Sequence, residues 1–343
     1  MLLAPSSSRR RNIQPLTSST VLVYVKGDRI GDGILKYPVI RAFRESNPDC
    51  RILWVTGKNP SAFANSLQFL AEGNIDEIKE NTGLGGIKSF LKRLRFPKNE
   101  IIICTESKIK ETLFLKSLKS KLFVSPALNY YFSNLQPKHK VYEPNIYLNF
   151  LNLMSLCSKT QLHPRFNINI PDEIHSLARE ILPPKSKYVG LVIGAGNPQK
   201  QWPLQFFIEV AKYVALNKMV PLFFTGPAES ELITQLKNTL PQAIFPEETA
   251  PDSFRTPLLT IALSKKVAFS LTNDSGGGHL IAAGGKKTIT MFGKNRANKF
   301  RSPYCDQVCI DSSEFNVKNV CNLQFQPVFS HVVKSIAEEK KKM

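Results

Sequence analysis

Short, β-branched apolar runs alternate along this chain with longer stretches whose apolar residues recur every three or four positions. The first run, residues 21–25 (VLVYV), predicts a buried strand. A glycine-rich turn over residues 26–33 follows. Ile34, Leu35, Val39, Ile40 and Phe43 then mark a helix over 34–46, with Pro38 in its first turn, where proline is tolerated. Residues 51–55 (RILWV) predict the next strand, so the chain opens on a βαβ unit. Further helices are expected at 61–70, 86–94, 111–119 and 143–156, and strands at 100–104 and 121–124. Pro164, Pro171, Pro183 and Pro184 break the stretch 159–184, which keeps one helix near 172–182, and a domain boundary is expected there. A second alternating series predicts strands at 188–193, 220–225, 267–271 and 287–292. Its helices are expected at 203–216, 229–240, 258–264, from 278, and over 319–340 with an interruption at 324–327. The fold class is therefore α/β: two Rossmann-like, doubly wound domains, 21–165 and 166–343, facing a central cleft. A disordered basic tail over 1–20 precedes them. Ligands in such sheets bind beyond the carboxyl ends of the strands, which makes the cleft between the domains the expected site.

Composition narrows the class. The chain has 343 residues, and its 42% hydrophobic content is enough for a real core. No apolar run reaches the roughly 18 residues of a spanning helix. Met1-Leu2-Leu3-Ala4 is too short for a secretory signal, and its arginines follow rather than precede it. Six cysteines in this length make no disulfide framework. Cys305, Cys309 and Cys321 have no metal-ligand spacing and read as structural thiols of a reducing compartment. The net charge of +19 lies almost wholly in four patches, at residues 1–20, 79–121, 284–301 and 334–343. A nucleic-acid partner would call for aromatic interleaving or a recognisable module, and neither is present. The patches point instead to an anionic membrane surface and phosphorylated ligands.

Three loops carry candidate chemistry. Lys26-Gly27-Asp28-Arg29-Ile30-Gly31-Asp32-Gly33 follows the first strand but is neither a dinucleotide fingerprint nor a P-loop. Asp32 there is either a general base or a helix N-cap. Gly194-Ala195-Gly196 through Lys200-Gln201-Trp202-Pro203 joins a strand to a helix. Its exposed amides and the Lys200 charge suit a phosphate, or it is a plain turn with a surface lysine. Asn273-Asp274-Ser275-Gly276-Gly277-Gly278-His279 places three glycines and a hydroxyl at a helix start, an anion site or a bare turn. His279 is a packed residue or a functional one.

Taken in this order, the loops resemble the heptosyltransferase family, glycosyltransferase family nine. The likeness rests on Arg29-Ile30-Gly31-Asp32, Pro38, Asn47-Pro48-Asp49-Cys50-Arg51-Ile52, Gly194-Ala195 with Lys200-Gln201-Trp202-Pro203, Thr225-Gly226-Pro227-Ala228-Glu229, and Asn273 to Ala283 with Met291-Phe292-Gly293. It covers about residues 20–335 and is strongest in the second half. The resemblance implies a GT-B architecture with an N-terminal acceptor domain and a C-terminal donor domain. It implies inverting transfer without a metal or other cofactor, from a nucleotide-diphosphate sugar such as an ADP-heptose-like donor to an anionic lipopolysaccharide-core or other envelope glycan. Asp32 would be the base, with Lys200 beside it in catalysis. Gly194, Lys200, Glu229, Asp274, Ser275, Gly276, Gly277, Gly278 and His279 would bind donor, and Arg29, Gly31 and Lys36 acceptor. The protein would act as a monomer, in the cytoplasm, at the inner face of the membrane. Leu35 stands where the family often has histidine, Gln201 where it has arginine, Gly277-Gly278 where it has Pro-Met, and Lys294-Asn295-Arg296-Ala297 where it has Pro-Thr-Asp-Pro. These departures motivate the alternative of a nucleotide-sugar-binding protein of the same fold with impaired catalysis.

Overall fold

A computed structural model describes residues 19–84, 101–118, 120–138 and 142–342. The helix expected at 86–94, residue 100 of the strand expected at 100–104, nearly all of the N-terminal tail and much of the 79–121 charge patch lie outside them. The described residues divide into two compact units: those up to Arg29 with those from Lys36 to Arg165, and Ile30–Leu35 with those from Phe166 onward.

In the first unit, β1 (Thr20–Val25), β2 (Arg51–Thr56), β3 (Glu77–Lys79), β4 (Ile101–Cys104) and β5 (Leu122–Val124) form a parallel sheet in the order β3-β2-β1-β4-β5. Central strands of an all-parallel sheet are covered on both faces, which is why Val21–Leu22–Val23 and Ile101–Ile102–Ile103 run apolar without alternation. Leu22, Leu53, Val55, Ile102, Phe114 and Phe123 share one core cluster.

In the second unit, β6 (Tyr188–Val192), β7 (Val220–Phe224), β8 (Val267–Asn273), β9 (Lys287–Phe292) and β10 (Gln307–Asp311) form a second parallel sheet, ordered β10-β9-β8-β6-β7. The helices Leu204–Leu216 and Phe325–Lys340 bury Phe207, Val210, Val214, Val328, Val332 and Ile336 against this sheet. The strand order reverses between β6 and β8, so the loops after these two strands part there and leave a crevice.

Several elements differ from the sequence expectation. The helix placed at 34–46 spans Ile30–Ser46, so Pro38 lies in its interior rather than its first turn. Gly31 and Gly33, poor helix formers, hid the true start. Gly31 is required for a tertiary reason: a Cβ there would lie 2.5 Å from Cδ2 of the His279 ring. Because Pro38 has no N–H, the Ile34 carbonyl loses its helical partner. The Tyr304 hydroxyl replaces it, donating to Ile34 O at 3.1 Å in a buried setting. Tyr304→Phe is therefore expected to cost about 1–3 kcal/mol by stranding that carbonyl. Urea unfolding checks this, and an unchanged midpoint contradicts it.

The single helix expected at 61–70 is two fragments, Ala62–Ala64 and Gln68–Ala71, parted at Asn65, whose backbone is not helical. The glycines 276–278 are inside the helix Gly276–Ala282 rather than before it. The closing helix starts at Phe325 after a separate turn, Val320–Asn322. Strands β3 and β10 had no counterpart in the sequence reading. Both are short, and half or more of β10 is polar or cysteine.

Candidate functional site

The crevice at the β6/β8 switch is organised by Asn273, the last residue of β8. Its buried amide donates to Ile193 O at 2.8 Å, and its Oδ1 accepts from the Trp202 backbone N–H at 3.1 Å. These bonds tie the loop after β6 to the end of β8. Asp274 follows, only 3% exposed. Lys200 Nζ lies 3.0 Å from its Oδ2 and donates to its backbone carbonyl at 3.3 Å. Arg296 Nε donates to the same Oδ2 at 2.6 Å, and His279 Nε2 lies 4.0 Å from Oδ1. Burial pushes the Asp274 carboxyl up, but Lys200, Arg296 and His279 together hold it below its ordinary value. One buried carboxylate thus gathers two cations, leaving the trio with a net positive charge; none of the three is among the residues that line the cavity described below.

Arg296 is held by its own loop. Asp311, which ends β10, accepts from the backbone N–H groups of Asn295, Arg296 and Ala297 at 3.1, 3.1 and 3.3 Å. The Arg296 guanidinium stacks 4.3 Å from the centroid of the Phe300 ring, with Lys299 5.1 Å and Lys200 6.0 Å from that ring. Gln201 closes its own loop by donating to Ala195 O at 2.9 Å. Sequence reasoning missed Arg296 because its pairing with Asp274 brings together the loops after β8 and β9, which no local pattern connects. Within the 284–301 charge patch, Arg296 pairs with Asp274 and Lys287 with Glu338, so only part of that patch is solvated charge.

Ser275 caps the helix Gly276–Ala282, its Oγ accepting from Gly278 N–H at 3.1 Å. That bond occupies one of the three glycine amides and leaves Gly276 and Gly277 lining the cavity beside Ser275. Gly278 has a packing reason as well: a Cβ would lie 2.6 Å from Asn273 O. His279 is buried, and burial holds its imidazole below the ordinary value against the opposing pull of Asp274 and Asp32.

Asp32 is the third residue of its helix, inside the first turn, so the N-cap alternative does not hold. It is half-buried and close enough to His279 to act on that ring, as are Lys200 and Arg296. Arg29 and Lys36 belong to the first unit. Arg29 is exposed, whereas Lys36 is buried with its ammonium 5.8 Å from the centroid of the Trp54 ring. Asp28, to which the sequence reading gave no role, is buried and accepts from Ser61 Oγ at 2.7 Å and Trp54 Nε1 at 3.3 Å.

A cavity of about 540 Å³ extends from the β6 and β8 loops past β7. Gly194 and Glu229 meet on its wall. A Cβ at Gly194 would lie 2.3 Å from Glu229 Oε1, so only glycine admits that carboxylate. Glu229 Oε2 accepts from Gly226 N–H at 2.8 Å. Among the described residues no group of three or more His, Cys, Asp or Glu is arranged to hold a metal ion, and no helix is long and apolar enough to cross a membrane.

The profile of glycosyltransferase family 9 (heptosyltransferase) matches residues 129–324. The lipopolysaccharide core heptosyltransferase OpsX of Haemophilus influenzae is 20% identical over 269 residues, 77% of this chain and 76% of that protein. The lipooligosaccharide heptosyltransferase 2 of Campylobacter jejuni is 23% identical over 275 residues, 78% and 79% of the two chains. Among solved structures, a family 9 glycosyl transferase from Veillonella parvula superposes with a TM-score of 0.62 at 19% identity, covering 94% of this chain and 98% of that one. E. coli heptosyltransferase WaaC, solved with ADP-2-deoxy-2-fluoro heptose, gives 0.59 at 15% identity over 94% and 99%. These likenesses establish the fold as GT-B, built from the two Rossmann-like units described above. With the family profile spanning more than half of it, the chain belongs to glycosyltransferase family 9, the heptosyltransferase family, and is a glycosyltransferase.

Proposed function

We propose that the protein is an inverting, metal-independent transferase that moves heptose, or a related sugar, from an ADP-heptose-like donor to a lipopolysaccharide-core or other envelope glycan. The observation that carries this reading is the grouping of Asp32, Lys200, Asp274 and Arg296 around the buried His279 ring. A proton acceptor and two anion-binding cations in one place are what such a transfer requires. Two relatives support the donor and acceptor classes: a lipopolysaccharide core heptosyltransferase, and a solved neighbour holding an ADP-linked fluoro heptose.

In the proposed step, an acceptor hydroxyl oxygen attacks the anomeric carbon and the bond from that carbon to the diphosphate oxygen breaks. The hydroxyl proton passes to the Asp32 carboxylate, and the nucleoside diphosphate leaves with the bonding electron pair. Its added charge is met by Lys200 and Arg296, with the Gly276 and Gly277 amides and the Ser275 hydroxyl at the helix start. Asp274 aims both cations. Gly194 and Glu229 form the wall for the donor ribose. The first unit, with Arg29 and Lys36, takes the acceptor, and Gly31 lets His279 pack beside the base. The exposed lysines 286, 294 and 299 suit an anionic bilayer, consistent with a monomer working at the cytoplasmic face of the inner membrane.

Calorimetry with ADP-, GDP- and UDP-sugars, followed by a transfer assay, tests the reading. Absence of binding to all three overturns it. Gly194→Ala, which drives Glu229 off its Gly226 bond, is expected to weaken donor binding by about 1 kcal/mol, or roughly fivefold. An unchanged affinity removes Glu229 from the ribose role.

A further inference from the structure

The first unit turns apolar side chains outward on one face. Among the described residues nine large apolar or aromatic side chains are exposed, and five of them, Ile109, Leu113, Leu128, Tyr131 and Tyr142, fall in one stretch of that unit. The helix Ile109–Lys116 supplies the first two. It buries Thr112, Phe114 and Leu115, so Ile109 and Leu113, four positions apart, lie together on the opposite side, with Lys116 one turn further along. The turn Ala127–Tyr130 accounts for the next two. Leu128, Asn129 and Tyr130 all have positive φ, 47°, 51° and 64°, a conformation unfavourable for leucine and tyrosine. It buries Tyr130 and leaves Leu128 57% and Tyr131 73% exposed.

These parts are joined into one surface. Lys116 Nζ donates to Phe132 O at 2.9 Å and lies 5.7 Å from the centroid of the Phe132 ring. That ring packs edge-on against Tyr131, with centroids 5.2 Å apart. The Tyr142 backbone N–H donates to Asn129 Oδ1 at 3.2 Å. The exposed charge beside the apolar residues is positive: Lys108, Lys110 and Lys116 all face solvent. The nearby carboxylates are engaged elsewhere. Glu106 Oε1 accepts from Lys26 N–H at 3.1 Å, Glu143 Oε1 accepts from Asn145 N–H at 3.0 Å, and Glu111 Oε2 is sealed from solvent. The three lysines belong to the 79–121 charge patch, which none of the roles above uses.

We propose that this face docks on an anionic phospholipid bilayer, with Ile109, Leu113, Leu128 and Tyr131 entering the interface while Lys108, Lys110 and Lys116 meet lipid phosphates. The proposal rests on the bilayer reading above and names the face that carries it. A bilayer rewards both features at once. The apolar side chains leave water for the acyl boundary, and the lysines keep their ammonium groups among the headgroups. Tyrosine suits that boundary, its ring being apolar and its hydroxyl polar. Either attraction alone gives marginal, reversible binding, so the two act together. The same unit carries Arg29 and Lys36, so docking brings the proposed acceptor residues to the surface that holds a lipid-anchored glycan.

The test is sedimentation of the full chain with vesicles of phosphatidylglycerol and phosphatidylcholine in equal parts, against phosphatidylcholine alone. Wild type is expected to bind the anionic vesicles about tenfold better. Leu113→Gln with Tyr131→Ser, both at exposed positions, is expected to lose about tenfold in binding to them, with an unchanged thermal melt. Lys108→Glu with Lys110→Glu is expected to lose about as much, or roughly tenfold, from the electrostatic side. Tyr131→Trp is expected to show a blue-shifted emission on anionic vesicles, to which the buried Trp54 and Trp202 add nothing. Wild-type binding that either double variant fails to weaken, or an unshifted emission in Tyr131→Trp, overturns this face alone and returns docking to lysines 286, 294 and 299. Failure of wild type to bind anionic vesicles, or equal binding to both kinds, overturns the bilayer reading with it. A wild-type dimer in solution that Leu113→Gln with Tyr131→Ser dissociates assigns the face to a second copy of the chain and overturns the proposal as well.

Discussion

Asp32→Asn is expected to lower sugar transfer by about 10²- to 10⁴-fold while nucleotide binding stays within a few-fold of wild type. The amide matches the carboxylate in size and cannot take the acceptor proton. Asp32 sits in the first turn of the helix Ile30–Ser46, where a carboxylate also interacts favourably with the helix dipole. That structural contribution is worth only about 0.3–1 kcal/mol, so the variant should melt close to wild type. A purely structural role would shift the melt and leave turnover of the folded fraction intact. A purely catalytic role does the reverse. Transfer by Asp32→Asn at the wild-type rate, with a normal melt, would remove Asp32 as the base.

Lys200→Ala is expected to reduce kcat/KM by about 10²- to 10³-fold. Lys200 and Arg296 share the Asp274 carboxylate, so the three groups carry a net single positive charge. Without Lys200 the remaining Arg296–Asp274 pair is neutral, and the departing diphosphate meets no excess charge. At about 4 Å and an effective dielectric near 20, one charge pair is worth about 4 kcal/mol, which brackets the expected loss from above. Lys200→Arg keeps the charge and should recover part of the rate. Arg296→Ala should act in the same direction as Lys200→Ala, because the same bookkeeping of charge applies. Wild-type kcat/KM in Lys200→Ala would dismiss the phosphate role.

A pH signature accompanies this variant. The folded carboxyl of Asp274 lies below its ordinary value, so its contribution to stability is present above that value and fades as pH falls through the folded one. Removing Lys200 weakens the depression. The stability gap between wild type and Lys200→Ala should therefore narrow as the medium is acidified below about pH 4.

Most strands of both sheets were legible because a parallel strand buried on both faces must be apolar throughout, and such runs stand out in any order. The Gly194, Glu229 and Asn273–His279 segments were also legible, since each falls where a strand hands over to a helix. The start of the first helix was not. Gly31 and Gly33 depress local helix propensity, and the reason for Gly31 is the His279 ring, nearly 250 positions away. The interior Pro38 misled in the same way. Its cost is offset by Tyr304, a hydroxyl that no local pattern connects to Ile34.

The sequence alone determined the alternation of strands and helices, the family resemblance, and the separation of the positive charge into patches, because these depend on periodicity and on residues adjacent in the chain. Tertiary structure alone decided which side chains share an environment. Arg296 takes up Asp274, Glu229 fills the space Gly194 leaves, and Lys36 is buried against Trp54. Electrostatic and hydrogen-bond energies depend on distances of a few ångströms. Those distances are set by how strands order themselves across a sheet, which no local window of sequence records.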